Sequence, residues 1–353
     1  MTARAMMVWA AMGALGALAT GCADDGDDGV ETETLARDLP PIPLPLGEEI
    51  TGQCWSWTLH NEEPLYVHAV HMSATRGIHH SNWFYVDDDT YDAPDGSDGD
   101  GLWDCGDRGF DTVTTAASGG VLFAQSTQNI DETQQFLPGA ALRLPPHARV
   151  VVDLHLLNTY QEDLNTEIHI ELDTIPEEAV DTVLRGLAIE YVDLQIQPHK
   201  RSEFTVECEM STFHWNLLGR PLDLSLHYLL PHYHELGDLM RVEVLGGPAD
   251  GELIYETTAS IGEPLSAAMD PPYDLTGADG LRVTCGYDNP RDEEVGWGVG
   301  DQEMCVLFGF TDSEAMWGGG VLVDDDQSEI VEQTDELVRY EAPCTVFGSL
   351  PDE

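Results

Sequence analysis

Thirteen histidines occur in this 353-residue chain, and several stand where they could share a metal ion. In Pro231-His232-Tyr233-His234-Glu235-Leu236-Gly237 an extended backbone would turn His232 and His234 to one face. A third donor lies downstream, in Asp301-Gln302-Glu303-Met304-Cys305, where a thioether sits beside a cysteine able to anchor its strand. Two imidazoles and a thioether select a soft ion, copper above all. Upstream, Ile78-His79-His80-Ser81 and Asp153-Leu154-His155-Leu156 supply three further imidazoles. His79 and His80 are adjacent, so a regular strand would point them to opposite faces. Their joint ligation requires a bulge or twist, and Gly77 offers the freedom for one.

In that order of His-His, His, His-x-His and Met-Cys, the chain resembles the type II copper, ascorbate-dependent monooxygenases, the group of peptidylglycine α-hydroxylating monooxygenase and dopamine β-hydroxylase. The resemblance covers roughly residues 50 to 348. It implies a first copper at His79, His80 and His155 and a second at His232, His234 and Met304, hence two ions per chain. It also implies ascorbate or an equivalent electron donor, dioxygen and a small organic substrate. The second site would be the oxygen-reactive, catalytic one, and the first would store and deliver an electron. Hydroxylation of a C–H bond is the implied reaction. An exported copper-binding lipoprotein without turnover is the alternative.

The surroundings of the ligands depart from the peptide-hydroxylating members. Those enzymes carry an arginine two residues before the triplet, and an asparagine and a tyrosine two and four residues after the methionine. Here these positions are Leu230, Val306 and Phe308, and Asp153 replaces a glutamine two residues before His155. The carboxylate clamp is missing, so the substrate is expected to be neutral or cationic, with an apolar portion beside Val306 and Phe308.

The elements that must position these residues read as strands. Segments 65–72, 121–125, 149–157, 166–172 and 203–209 are short, alternating or β-branched, and bounded by Gly, Pro, Asp or Asn. Segments 224–230, 239–245, 281–285 and 304–310 continue the pattern, and no long segment carries a 3.6-residue period. The expected fold is all-β, two antiparallel, jelly-roll-like β-sandwich domains at 48–176 and 177–353, each carrying one copper site.

Residues 1–22 join Arg4 to an apolar run ending in Thr20-Gly21-Cys22, which reads as a lipoprotein signal peptide with Cys22 as the lipidated residue. Residues 23–47, acidic and then proline-rich, read as a tether. The protein is thus expected to be exported and lipid-anchored in a bacterial cell envelope. Six cysteines remain besides Cys22, and an even number in an exported chain implies disulfides, with 15 connectivities open. The family resemblance implies Cys54–Cys105, Cys208–Cys344 and Cys285–Cys305, a pairing that keeps each bridge within one domain.

Acids outnumber bases 66 to 14, for a formal charge of −52, which argues against nucleic acid and against binding anionic lipid through charge. The aspartate-rich stretch 87–107 lacks the ligand register of an EF-hand and reads as a solvated loop. His68, His71, His169, His214 and His227 read as structural or outer-shell residues, and His60, His147 and His199 as loop residues.

Overall fold

The strand Ala148–Leu157, ARVVVDLHLL, is rich in β-branched and aliphatic residues and is buried on both faces except at Asp153 and Leu157. That pattern suits the centre of a covered sheet. It is the middle of a five-stranded sheet in the order Gly101–Asp104, Glu49–Thr58, Ala148–Leu157, Ile78–Asp87, Gly120–Ala124. Opposite lies a layer containing Glu33–Asp38, Ile168–Ile175, Leu65–Ala74 and Ala140–Leu144, with Asp131–Gln135 paired beside Leu65–Ala74. Trp55, Met72, Trp83, Val150, Val152 and Leu172 fill the space between them. The computed structural model describes residues 32–93, 99–125, 129–260, 265–298, 300–322 and 328–350.

The second half repeats the plan. Its six-stranded sheet runs Leu253–Thr257, Gly237–Leu245, Gly280–Asn289, Lys200–Glu209, Leu337–Pro343, Glu329–Gln333. Facing it are Thr182–Tyr191, Val306–Thr311, Ser225–His232 and Ala267–Asp274, with Met316–Val321 and Thr345–Ser349 alongside. Tyr191, Phe204, Val242, Leu281 and Leu307 lie in this second core, where the Phe204 and Tyr340 rings stack 4.7 Å apart. The expectation of an all-β sandwich fold therefore holds. Two short helices, Thr112–Ser118 and Ser211–Leu218, interrupt the strands.

The expected boundary near residue 176 falls on a short 3-10 turn, Glu177–Ala179, between the strands Ile168–Ile175 and Thr182–Tyr191. The halves are nevertheless joined. Thr182–Tyr191 pairs in parallel with Ala140–Leu144, making one eleven-stranded sheet, and Tyr228, Leu230 and Phe310 of the second half belong to the first core. The described residues, from 32 onward, belong to one compact unit.

The tether reading of 23–47 is corrected within its described part. Glu33–Asp38 pairs with Ile168–Ile175, and Ile42–Leu44 pairs with Leu164–Thr166. In Leu39-Pro40-Pro41-Ile42-Pro43-Leu44 the aliphatic side chains are buried, Leu44 completely, while all three prolines are exposed. A short edge ladder tolerates proline, which lacks the N–H an interior strand would need. The composition suggested a linker, but the alternation of aliphatic and proline makes a strand. The signal segment, Cys22 and residues up to 31 lie outside the described residues, as do 94–98 of the aspartate-rich stretch.

All three disulfides form with the pairing the resemblance implied: Cys54–Cys105, Cys208–Cys344 and Cys285–Cys305. They mark the protein as extracellular or periplasmic.

Candidate metal centre

The first three histidines come from two neighbouring strands. Ile78–Asp87 pairs antiparallel with Ala148–Leu157, and His155 stands opposite His80, but the next pair is Leu156 with Ile78. His79 is therefore the extra residue of a β-bulge. This solves the problem of adjacent ligands: the bulge rotates His79 onto the side of His80, and their ring centroids lie 5.3 Å apart. His155 completes the group at 4.4 Å from His79 and 4.8 Å from His80.

The second pair is built differently. Ser225–His232 ends at His232, and His234 lies in the turn that closes with the Gly237 amide donating to the His234 carbonyl at 3.2 Å. The expectation of one strand carrying both rings is corrected, because the turn rather than strand alternation brings them within 5.3 Å. A chain of contacts from the segment before Cys305 holds that turn. The Glu303 carboxylate accepts the His234 amide at 2.8 Å and the Leu236 amide at 2.6 Å, and His234 Nδ1 meets the Gln302 carbonyl at 2.8 Å. Tyr287 donates to the Met304 carbonyl at 2.6 Å, and Cys305 is bonded to Cys285 next door. Met304 itself is half-buried, with its backbone tied to the same turn through Glu303.

The two sets do not lie apart, one in each half. His80 lies 5.3 Å from His232 and 5.8 Å from His234, and His79 lies 5.3 Å from His234, ring centre to ring centre. Two triads of donor atoms, His79–His80–His155 and His80–His232–His234, each fit within 4.8 Å, with His80 common to both. One site per sandwich is thus corrected to one cluster of five buried imidazoles at the meeting of the halves. The cause is the shared sheet, which brings the end of Ser225–His232 against the first half, where His232 Nδ1 meets the Gln125 carbonyl at 3.2 Å.

Tautomers follow from the partners. A ring nitrogen facing a carbonyl or carboxylate must donate, so the opposite nitrogen carries the lone pair. His155 donates from Nε2 to Glu49 Oε1 at 2.7 Å and presents Nδ1 to His80 Nε2 at 3.1 Å. His80 must then donate from Nε2, which leaves its lone pair on Nδ1, buried without a hydrogen-bond partner. His234 donates from Nδ1, and its Nε2 is likewise buried and unpartnered. Orphaned lone pairs are costly in a protein interior unless something binds them.

Burial, and then the charges of neighbouring histidines, lowers His79 to about 3 and holds His80 well below the usual histidine range. His234 is lowered for the same first reason. Neutral imidazoles are the form that ligates metals. Burial also pushes Glu303 up to about 7, against the amides of Leu236, His234 and Met304 that favour its charged form. A further group, Cys54, Cys105 and Asp153, is no metal site, because the two sulfurs are bonded to each other.

Glu49, Gln125, Gln302 and Glu303 were not singled out from sequence. Only Glu303 had a local signal, its place beside Met304. Of the remaining histidines, His214 is fully buried, stacked on Trp317 with Nδ1 at 3.0 Å from the Arg220 carbonyl, and is structural. His60, His147 and His199 occupy left-handed loop positions.

No family model and no curated protein matches the chain. Among solved structures it is similar to the major capsid protein P2 of bacteriophage PM2, with 6% identity over 79% of this chain and 97% of that one, at a TM-score of 0.32. PNGase F, a glycosylasparaginase from Flavobacterium meningosepticum, matches with 7% identity over 90% and 99%, also at 0.32. The Macrobrachium rosenbergii nodavirus follows at 10% identity over 86% and 96%, with a TM-score of 0.18. Likeness this slight carries nothing about chemistry.

Proposed function

We propose that this chain is an exported, lipid-anchored copper monooxygenase that uses dioxygen and an ascorbate-like reductant to hydroxylate a C–H bond of a small organic substrate. The observation that supports it is the convergence of five buried imidazoles, with two orphaned lone pairs on His80 and His234, on ligand positions matching the family order. The donor set fits copper: His79, His80 and His155 would hold one ion, and His232, His234 and the soft sulfur of Met304 the other. Copper, when bound, would supply the one-electron and dioxygen chemistry.

The protein's own part is positioning. Glu49 fixes the His155 ring with Nδ1 turned inward, and the Gln302 carbonyl does the same for His234 Nε2. Glu303 holds the His234 turn from its backbone, next to Met304. The low exposure of all five rings keeps bulk water from the donors. Leu230, Val306 and Phe308 lie on one sheet face with His232, by their pairing across Ser225–His232 and Val306–Thr311; Leu230 and Val306 are buried there, while Phe308 is half-buried and is the one that could meet the apolar portion of a substrate.

The second reading, an exported copper-binding protein without turnover, is favoured by the rings of both sets touching and sharing His80. Oxygen uptake coupled to ascorbate oxidation, measured on copper-loaded protein, separates the two. Uptake lost in His234→Ala supports the monooxygenase; copper binding without uptake across a substrate screen supports the binding protein.

A further inference from the structure

A cavity of about 320 Å³ opens on the face of the second half's sheet that carries His232, with none of the five histidines in its lining. It exists because of a row of small residues. Along Thr182–Tyr191 the side chains alternate, with Leu187, Ile189 and Tyr191 in the core and Gly186, Ala188 and Glu190 on the other face. A Cβ on Gly186 would meet nothing within 4 Å. Phe84 of the first half, Phe308 and Phe347 line the space, and the Phe347 ring occupies the position a Gly318 side chain would need, 2.2 Å from its ideal Cβ.

Glu190 is the one ionisable side chain among the described lining residues. It pairs across the sheet with Val306, and Val306 with His232, so the three stand in one row. Two strand spacings put Glu190 about 10 Å from His232 along that row. Among the described residues none donates a hydrogen bond to the Glu190 carboxylate or forms an ion pair with it. Burial accordingly raises its pKa, with no opposing cause. A carboxylate in apolar surroundings is stabilised most by a cation brought to it, and an anionic ligand would be repelled both there and by the acidic surface.

We propose that this cavity binds a small apolar amine, with the protonated nitrogen on the Glu190 carboxylate and the hydrocarbon body among Phe84, Phe308 and Phe347. The volume is at the small end of ligand pockets, where one charged group and an apolar lining are the usual composition. The proposal stands on the cavity and does not depend on the copper reading; if both hold, Glu190 is a specificity-determining residue for the substrate.

The test uses three molecules of one shape, 4-phenylbutylamine, 4-phenylbutanol and 4-phenylbutyrate, titrated calorimetrically into metal-free and copper-loaded protein. The amine is expected to bind saturably, the alcohol at least about tenfold more weakly and the acid not at all. Glu190→Gln should lower amine affinity by about tenfold or more and leave the alcohol unchanged, with the melting temperature as a check on folding. Gly186→Leu, which fills the cavity, should weaken both. Absence of amine binding, equal affinity for amine and alcohol, or an unaltered amine affinity in Glu190→Gln overturns the proposal. Amine binding that persists in a protein unable to consume oxygen would count against the monooxygenase alone.

Discussion

The two halves of the histidine cluster are held by different means. His79, His80 and His155 sit on paired strands at the middle of a sheet, where a bulge and a ladder of backbone hydrogen bonds set their directions. His234 and Met304 sit in turns beyond strand ends, and their directions depend on Glu303, the Gln302 carbonyl and the Cys285–Cys305 bridge. A sheet interior is over-determined by many contacts, whereas a turn hangs on a few. The first set should therefore resist perturbation of its outer partners, and the second should not. His80, near both, is the place where the distinction disappears.

The largest effects should come from the ligands. With two ions bound, metal analysis should show one ion lost in His155→Ala and the other in His234→Ala, each with a fall in affinity beyond about 100-fold, because removal of mere outer partners already costs 10–100-fold. His80→Ala should disturb both. A chain that never holds more than one copper, lost equally in all three variants, would replace two sets with one shared site.

Next should come the bridge. Replacing Cys285 and Cys305 together by alanine should lower stability by about 2–5 kcal/mol and loosen copper at the second set while the first stays loaded. Equal loss at both sets would show that the two are not independently supported. Glu303→Ala and Glu49→Ala make the same comparison without touching a disulfide. The expected losses of copper affinity are about 100-fold at the second set and about tenfold at the first, read by competition with a chelator, and the reverse order would contradict the contrast drawn above.

The cluster also predicts an acid sensitivity of the metal-free protein. His79 is held at about 3, below its unfolded value of 6.5, so between those values the unfolded chain takes up a proton that the folded chain refuses. Folding stability should fall as pH drops below 6.5, by up to about 5 kcal/mol from this ring alone if it stays neutral to pH 3. Denaturant midpoints of the apoprotein from pH 7 to 4 measure this, and a flat profile would contradict it.

The smallest effect lies on the surface and has the opposite sign. His169 is raised by its hydrogen bonds to Asp38 and Glu171, so its contribution to docking Glu33–Asp38 is present below pH 6.5 and disappears as pH rises through the raised value. Protection of the Glu33–Asp38 amides against hydrogen exchange, taken relative to the base-catalysed intrinsic rate, should fall slightly at alkaline pH, and it should not do so in His169→Ala.

Much of this molecule was already determined by the sequence alone. The all-β class follows from short alternating segments, since period-two patterning is local and survives without knowledge of what the strand meets. The need for a bulge at His79 also follows from local geometry, because adjacent side chains on a regular strand cannot face one way. The disulfide pairing was legible only through the family resemblance. Tertiary structure alone decided the rest. The meeting of His80 with His232 and His234 depends on the parallel pairing of Ala140–Leu144 with Thr182–Tyr191, a contact between segments about 40 residues apart that no local pattern announces. Glu49, 106 positions from His155, and Gln125, 107 from His232, belong to the site by the same kind of long-range closure. The proline-rich segment at 39–44 misled for the converse reason: its composition is that of a linker in isolation, and it becomes a strand because Leu164–Thr166 offers an edge and the first core has room for Leu39, Ile42 and Leu44.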